Sequence, residues 1–372
     1  MDTVGSWLEV LHTRYPPAQA ADWDNPGLQV GDPAWPVARV LVTLDVTPAV
    51  LAEAATVPDT FVIAHHPVLF RPLARLTPGT ASGRLALEAA TRRVAVAAAH
   101  TNLDVTDDGA DTNHPVVVAL GLEEVAPLTV ELREGARLKL VTFVPPEAVG
   151  AVLDAVSAAG AGRIGTYERC SFRVTGTGTF RALPGSDPYS GPGIGEDAEE
   201  EEQRLEVELP RARAGAVVTA LRAAHPYDEV AFDLVPLLDG APLGFGRVGT
   251  LPQASTLAAV AERIRVGLPA PHLRYAGEPD RPIRRVAVVG GAGDSLLEAA
   301  RASGADVYVT GDLRHHVTLD ALTMGFALID AGHHATEMAA MPAFRERLER
   351  SARAEGLRAP VVASEVPTVP WR

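Results

Sequence analysis

Short apolar runs alternate with helix-forming stretches in the first and last thirds of the chain. The runs are nearly continuous, as expected of strands that are buried on both faces of a sheet. They are RVLVTLDV (39–46), TFVIAHH (60–66), RVAVAAAH (93–100), RRVAVVGGAG (284–293), ADVYVTGD (305–312) and FALIDAGHH (326–334). Helix-forming segments such as TPAVLAEAA (47–55) lie between them. This β-α-β alternation predicts strands in one sheet with helices packed against it.

The middle of the chain, from about residue 131 to residue 240, has a different order of elements. Its apolar and helix-forming segments predict β-α-β-β-α-β, the order of a ferredoxin-like unit. Within it, CSFRVTGTGTF is expected to form a strand pair, and the acidic run Glu199–Glu202 is expected to lie in a solvated loop. The predicted fold is therefore α/β: a layered α/β/α body built from the N- and C-terminal thirds, interrupted by a ferredoxin-like α+β insert domain.

The balance of charge narrows the possible partners. The chain of 372 residues has 33 Lys and Arg against 47 Asp and Glu, a formal net charge of −14. This balance disfavours binding to the phosphates of nucleic acid.

Cys170 is the single cysteine, so no disulfide forms within the chain. The first residues lack the pattern of a secretory signal, and no apolar stretch reaches the ~18 residues that span a bilayer. We expect a cytoplasmic protein without membrane contact.

Histidines gather at the ends of the predicted strands. Seven of the eleven lie in four places, each just after such a strand. They are His65, His66, His100, His315, His316, His333 and His334. In open α/β sheets, ligands bind outside the carboxyl ends of strands, so segments more than two hundred residues apart are expected to meet in one cleft.

Carboxylates accompany two of these histidine positions. In HTNLD (100–104), an extended backbone would place His100, Asn102 and Asp104 on the same side. In GHHATE (332–337), His333 and Glu337 are four residues apart, so a helix that begins there would stack them on one face. Either arrangement would present a nitrogen and an oxygen ligand to one cation.

The adjacent pair His65 and His66 favours two cations over one. Neighbouring side chains on an extended segment diverge, and Pro67 favours that extended form. We therefore predict a dinuclear site, and such a nitrogen and oxygen donor set suits Zn, Fe, Mn, Co or Ni. The predicted ligands are His65, His66, Asp104, His333 and Glu337. The predicted domains are then 1–130, an N-terminal α/β metal-site part; 131–240, the insert; and 241–372, a C-terminal α/β part that completes the site.

Three further features have simpler interpretations. VVGGAGDS (288–295) lacks the spacing of a nucleotide-binding loop, which favours a tight turn. WDNPGL (23–28), with Asp24 and Asn25 at its corner, could reach the cleft, but turn chemistry alone accounts for it. The pair His315 and His316 is equally consistent with a role in orienting a ligand, with proton transfer and with capping of the helix that follows.

These motifs together resemble the NIF-three-like dinuclear metal centre family, whose members are often labelled GTP cyclohydrolase I type 2 homologues. WDNPGLQVG, LVTLDVT, AHHP, HTNLD, TGDLRHH and GHHATE occur in the family's order. The middle segment is similar to the CutA/PII-like insert of the longer bacterial members. The resemblance implies the same five metal ligands, and a ring-shaped homohexamer.

The chemistry expected of such a site is metal-assisted hydrolysis of a small molecule. His100 and His316 are candidate proton carriers, because imidazole titrates near neutral pH. The substrate is unknown, with a nucleotide as one class. The alternative is a non-catalytic protein for metal binding, metal delivery or regulation, which needs the ligands but no proton carrier.

Overall fold

This computed structural model describes residues 2–130, 137–191, 193–238, 244–268, 270 and 272–371. The chain divides into two compact units, which we call the body and the insert. The body consists of Met1–Glu131 and Pro242–Arg372, and the insert is Leu132–Ala241.

The elements of the described residues are numbered in chain order. The strands are β1 (Gly27–Val30), β2 (Arg39–Thr43), β3 (Thr60–Ala64), β4 (Ala95–Ala98), β5 (Glu123–Pro127), β6 (Arg137–Val144), β7 (Phe172–Arg181), β8 (Asp197–Pro210), β9 (Phe232–Pro236), β10 (Arg247–Thr256), β11 (Arg274–Ala276), β12 (Pro282–Ala292), β13 (Val307–Gly311), β14 (Ala327–Asp330) and β15 (Val361–Ala363).

The helices follow the same numbering. They are α1 (Val4–Arg14), α2 (Pro48–Ala54), α3 (Ala81–Thr91), α4 (Thr101–Asp104), α5 (His114–Leu120), α6 (Val149–Ala158), α7 (Ala214–Ala224), α8 (Leu257–Gly267), α9 (Leu297–Ala302), α10 (His315–Thr323), α11 (His333–Met338) and α12 (Met341–Ala354), with 3-10 turns at Pro17–Gln19, Arg211–Arg213 and Asp294–Leu296. None of the helices in the described part of the chain combines the length and the apolar character needed to span a bilayer.

The first sheet of the body has the strand order β1-β4-β3-β2-β15. Strands β4, β3, β2 and β15 run parallel, and β1 is antiparallel to β4. Every residue of β3 and β4 is buried, which explains their uninterrupted apolar sequence. One face packs on apolar residues of α1 and α12, such as Leu11 and Phe344, and the other packs on α2 and α3.

The second sheet of the body has the order β11-β14-β13-β12-β10-β5. Its centre, β12-β13-β14, is parallel, and the outer strands are antiparallel. Helices α5 and α8 cover one face with residues such as Leu120 and Ile264. The strand and helix positions predicted for the first and last thirds are confirmed in both sheets, with ends that differ by a few residues.

The insert forms one four-stranded antiparallel sheet in the order β7-β8-β6-β9. Its elements follow the chain as β6-α6-β7-β8-α7-β9. Buried residues of the two helices, including Val152 and Leu221, pack against buried residues of the sheet such as Leu140 and Val207.

Two local predictions for the insert are wrong. CSFRVTGTGTF forms the single strand β7 and not a strand pair, and Glu199–Glu202 lies within β8 and not in a loop. Successive side chains of a strand point to opposite faces, so neighbouring glutamates diverge. Their cross-strand partners are Thr and Gly of β7, with Gly178 opposite Glu200, which leaves room for the carboxylates. The acidic run is therefore compatible with a strand.

Candidate metal centre

His65 and His66 directly follow the buried strand β3. Their backbone N–H groups donate to the carbonyls of Thr43 and Leu44, at 3.1 and 3.0 Å, so this segment stays paired beside β2. The His65 side chain is fully buried, and its Nδ1 lies 3.0 Å from the carbonyl oxygen of Ala99. A carbonyl can only accept, so Nδ1 carries the proton and donates, which leaves the lone pair of Nε2 directed elsewhere.

His333 and Glu337 lie on α11, which begins just after β14. The predicted four-residue spacing on one helix face is confirmed, with His333 Nε2 at 3.0 Å from Glu337 Oε2. Gly332 precedes the helix with a φ of 85°, a conformation that glycine adopts readily. Glu337 is 4% exposed, so its carboxylate is removed from water.

The two segments meet at the Glu337 carboxylate. Its Oε1 is 3.6 Å from His65 Nε2, and its Oε2 is 3.1 Å from His66 Nε2. The Nε2 atoms of His66 and His333 are 3.3 Å apart, although the residues are 267 positions apart in sequence. Imidazoles from both sheets of the body thus converge on one buried carboxylate.

Asp104 approaches the same cluster from α4. Its Oδ2 is 3.9 Å from His65 Nε2, and its Oδ1 accepts a hydrogen bond of 2.7 Å from Thr112. The extended backbone predicted for HTNLD is wrong, because the chain turns into a short helix after His100. Asn102 supports the turn by accepting a hydrogen bond from the His100 N–H at 2.9 Å.

Each of four histidine rings is held by an oxygen at Nδ1. The acceptors are Ala99 O for His65 (3.0 Å), Asp45 Oδ1 for His66 (2.8 Å), Asp312 Oδ2 for His333 (2.7 Å) and Asp24 Oδ1 for His100 (2.8 Å). An oxygen acceptor at Nδ1 fixes the tautomer and the ring orientation, as it does for histidines that bind metal ions.

The cluster leaves buried polar atoms without suitable partners. His65 Nε2 and Glu337 Oε2 are both buried and have no hydrogen-bond donor. The nearest neighbours of Glu337 Oε2 are Nε2 atoms, which carry lone pairs when the Nδ1 atoms hold the protons. Buried lone pairs that face one another are unfavourable unless positive charge lies between them. The donor set therefore fits a cation.

Two overlapping groups among the described residues could hold a metal ion. They are His65-His66-His100 and His66-His333-Glu337, and in each the ligand atoms lie within 4.8 Å of one another. His66 belongs to both groups. Asp104 falls outside these groups although it lies beside His65.

The pKa shifts of the metal-free site also favour a bound cation. Burial alone would lower the pKa of His66, but the neighbouring carboxylates of Asp45 and Glu337 raise it to about 10. Burial also opposes protonation of His333, yet Glu337 and Asp312 raise its pKa to about 9. Burial would raise the pKa of Glu337, but the three histidines hold it well below its usual range. The site attracts positive charge, which protons supply when no cation is present.

Three other histidines near strand ends lie outside the two candidate metal groups. His315 and His316 are exposed on the first turn of α10, where their ring centroids are 5.2 Å apart. His334 is half-buried, and burial lowers its pKa. None of these three belongs to the two groups found among the described residues.

Three carboxylates that orient the rings were missed by sequence reasoning. Asp312 follows β13 directly, and Asp45 lies two residues after the end of β2, so the rule that identified the histidines would also have found them. Asp24 was assigned to a turn, but its buried side chain accepts from His100 Nδ1 and from the N–H of Thr101 at 3.0 Å. Turn chemistry does not explain those contacts.

The Gly-rich segment 290–293 is not a tight turn, because β12 continues through Ala292. Gly291 has a φ of +67°, and a Cβ there would overlap Glu337 Oε1 and lie 3.5 Å from His333 Nε2. Its N–H donates to Thr336 Oγ1 at 3.0 Å. The glycine thus allows the strand to approach the carboxylate closely.

The sequence matches one protein family over nearly its whole length. The family is Duf34/NIF3 (NGG1p interacting factor 3), which matches residues 3–370. A relative from Halalkalibacterium halodurans is 38% identical over 370 residues, covering 98% of this chain and 97% of the relative. One from Bacillus subtilis is 39% identical over 332 residues, covering 89% and 88%. Both are described as "GTP cyclohydrolase 1 type 2 homolog".

Solved structures agree with the fold. A Bacillus cereus protein related to NIF3 is 35% identical, with a TM-score of 0.74, and the alignment covers 100% of this chain and 99% of that one. A Staphylococcus aureus protein is 27% identical, with a TM-score of 0.79 and coverage of 100% and 98%. The α/β fold class predicted from the sequence is confirmed.

Proposed function

Since this chain belongs to the DUF34/NIF3 family, as the sequence motifs predicted, we propose that it is a metal-dependent hydrolase of small molecules with a dinuclear centre. The proposed ligands are His65, His66, Asp104, His333 and Glu337. The observation that carries the proposal is the pair of buried, unmatched atoms, His65 Nε2 and Glu337 Oε2, among rings already oriented for coordination.

The two oxygens of Glu337 face different ligands, which supports two ions over one. Oε1 lies 3.6 Å from His65 Nε2, which is 3.9 Å from Asp104 Oδ2. Oε2 lies 3.1 Å from His66 Nε2 and 3.0 Å from His333 Nε2. Adjacent histidines whose ring centroids are 5.0 Å apart, with planes inclined at 54°, direct their nitrogens along different lines. The ligands are imidazoles and carboxylates without a thiolate, a set that suits Zn, Fe, Mn, Co or Ni.

When bound, such ions provide water of lowered pKa and polarise a substrate oxygen. His100 is the proposed proton carrier. Its ring centroid is 5.1 Å from that of His65, and Asp24 accepts from its Nδ1, so Nε2 is available to take up or release a proton. A protein that only stores or delivers metal has no need of this oriented imidazole.

The description shared by the relatives supports hydrolysis and makes a nucleotide one substrate class for this chain. From the family resemblance we also propose a cytoplasmic, ring-shaped homohexamer and a CutA/PII-like character for the insert. Sedimentation of the purified protein tests the assembly, because a hexamer has six times the mass of the 39.1 kDa chain.

The experiment that tests the function separates metal binding from turnover. Protein purified without chelators is analysed for metal and screened against phosphoesters, amides and nucleotides. For the best substrate, we expect His100→Ala to reduce hydrolysis by about 100-fold or more while metal content persists. The control is His272→Ala, which removes an exposed histidine with no proposed role and should leave both unchanged. Fully metallated protein that turns over no compound of the panel would contradict the hydrolase assignment.

A further inference from the structure

Two exposed aromatic side chains lie beside His100. The Trp23 ring centroid is 6.0 Å from that of His100, and the Phe70 centroid is 6.2 Å from it. Trp23 and Phe70 are 5.8 Å apart, with ring planes inclined at 56°. Their exposures are 61% and 41%, whereas the His100 side chain is only 13% exposed. The rings thus border the candidate metal centre and face solvent.

Hydrogen bonds tie together the two segments that carry these rings. Asn25 Nδ2 donates to the carbonyl of Leu69 at 2.6 Å. The side chain of Gln29 accepts from the Leu69 N–H at 3.1 Å and donates to the Asn25 carbonyl at 2.7 Å. These bonds fix the residues adjacent to Phe70 against the segment that carries Trp23.

The Trp23 segment is also tied to the proposed proton carrier. Asp24 accepts hydrogen bonds from His100 Nδ1 at 2.8 Å and from Thr101. A group that lies against the Trp23 ring is therefore held at a set distance from the His100 imidazole. Structural residues of this size are normally buried, because exposed aromatic surface is unfavourable in water.

We propose that Trp23 and Phe70 bind a planar aromatic ring of the substrate and place its hydrolysable group beside His100. The proposal rests on the proposed function, since it concerns the substrate of the same site. Stacking on aromatic side chains is tolerant of ring identity, so the platform selects a class of planar rings and not one compound. A protein surface is the other possible occupant, but two rings that border a histidine and carboxylate cluster match a small ligand better than a broad interface.

Phenylphosphonate and methylphosphonate test the proposal, because they share a head group, differ in the ring and contain no hydrolysable ester. Binding to metal-loaded protein is measured by calorimetry. We expect wild-type protein to bind phenylphosphonate roughly 10-fold more tightly. The double variant Trp23→Ala, Phe70→Ala should lose this preference and keep its metal content and its affinity for methylphosphonate. Trp371→Ala, which removes another exposed tryptophan, is the control and should keep the preference.

Two outcomes overturn the proposal. One is the absence of a preference in wild-type protein, including the case where neither compound binds. The other is a double variant that retains the preference, or that changes the sedimentation coefficient and not ligand affinity, as a protein interface would. Since these measurements need no turnover, a preference without hydrolysis would support the platform and contradict the hydrolase assignment. Hydrolysis without a preference for phenylphosphonate would support the hydrolase assignment and contradict the platform.

Discussion

The acidic strand of the insert and the histidine cluster of the body use carboxylates in opposite ways. Glu199–Glu202 are consecutive in sequence, lie on β8 and are exposed or half-buried. Glu337 is 4% exposed and meets residues that are hundreds of positions away. Solvated charges interact weakly with their neighbours, whereas a buried carboxylate requires positive charge nearby. Density of acidic residues along the chain therefore creates no need for a cation by itself, whereas convergence of imidazoles on a buried carboxylate does.

The largest expected effect is the loss of Glu337. Glu337→Gln removes the negative charge on which three imidazoles converge. We expect metal affinity to fall by more than the roughly 10- to 100-fold typical of losing an orienting partner. Elemental analysis after dialysis measures the retained metal. The matched control is Glu200→Gln on β8, which should retain the wild-type amount. Equal loss in the two variants would remove the distinction between the regions.

The next effect concerns a carboxylate that orients a ring. Asp312→Asn weakens the hydrogen bond that fixes His333 Nδ1, now 2.7 Å long. We expect metal affinity to decrease by about 10- to 100-fold. Competition with a chromogenic chelator gives the dissociation constant. Asp320→Asn, an exposed carboxylate on α10, serves for comparison and should leave the constant unchanged. An unchanged constant in Asp312→Asn would show that His333 needs no such orientation.

The third prediction compares two glycines. Gly291→Ala places a methyl group against Glu337 Oε1 at a φ of +67°, so we expect the free energy of unfolding to fall by about 1–3 kcal/mol, together with weaker metal binding. Gly176→Ala on β7 adds a methyl group that meets no atom within 4 Å, and it should be close to neutral. Urea denaturation and chelator competition measure the two effects. A Gly291→Ala protein with wild-type metal affinity would argue against this close approach.

The smallest expected effect is on the pH dependence of stability. In metal-free protein, the pKa of His333 is raised to about 9 and that of His66 to about 10, from 6.5 in the unfolded chain. Their protonation therefore stabilises the fold fully below pH 6.5, and this stabilisation is lost as the pH rises through 9 and 10. The lowered pKa of Glu337 contributes stability above 4.5 that is lost at lower pH. The melting temperature of metal-free protein should therefore fall between pH 6.5 and 10, and bound metal should suppress that fall. Parallel melting curves with and without metal would contradict this expectation.

Much of the geometry of the candidate site was predictable from local rules. The position after a buried strand identified His65 and His66, and helical spacing identified His333 and Glu337, because both patterns depend on nearby sequence. The helical turn at HTNLD was not predictable in this way, since it depends on an Asn102 hydrogen bond to the carbonyl of Tyr15, 87 positions away.

The loop prediction for the acidic run was wrong for a related reason. Glu199–Glu202 has the composition of a loop, and only its pairing with the Gly and Thr residues of β7 makes a strand possible. The role of Asp24 likewise depends on a contact 76 positions away, with His100. Long-range pairing overrides local preference at these positions.

Anomalous X-ray diffraction from crystals of protein loaded with Zn²⁺ tests the central claim most directly. We predict two anomalous peaks in the body, within about 2.0–2.3 Å of ligand atoms that include His65 Nε2, His333 Nε2 and the Glu337 carboxylate. Peaks absent from that cluster, or found instead beside Glu199–Glu202 on β8, would contradict the account.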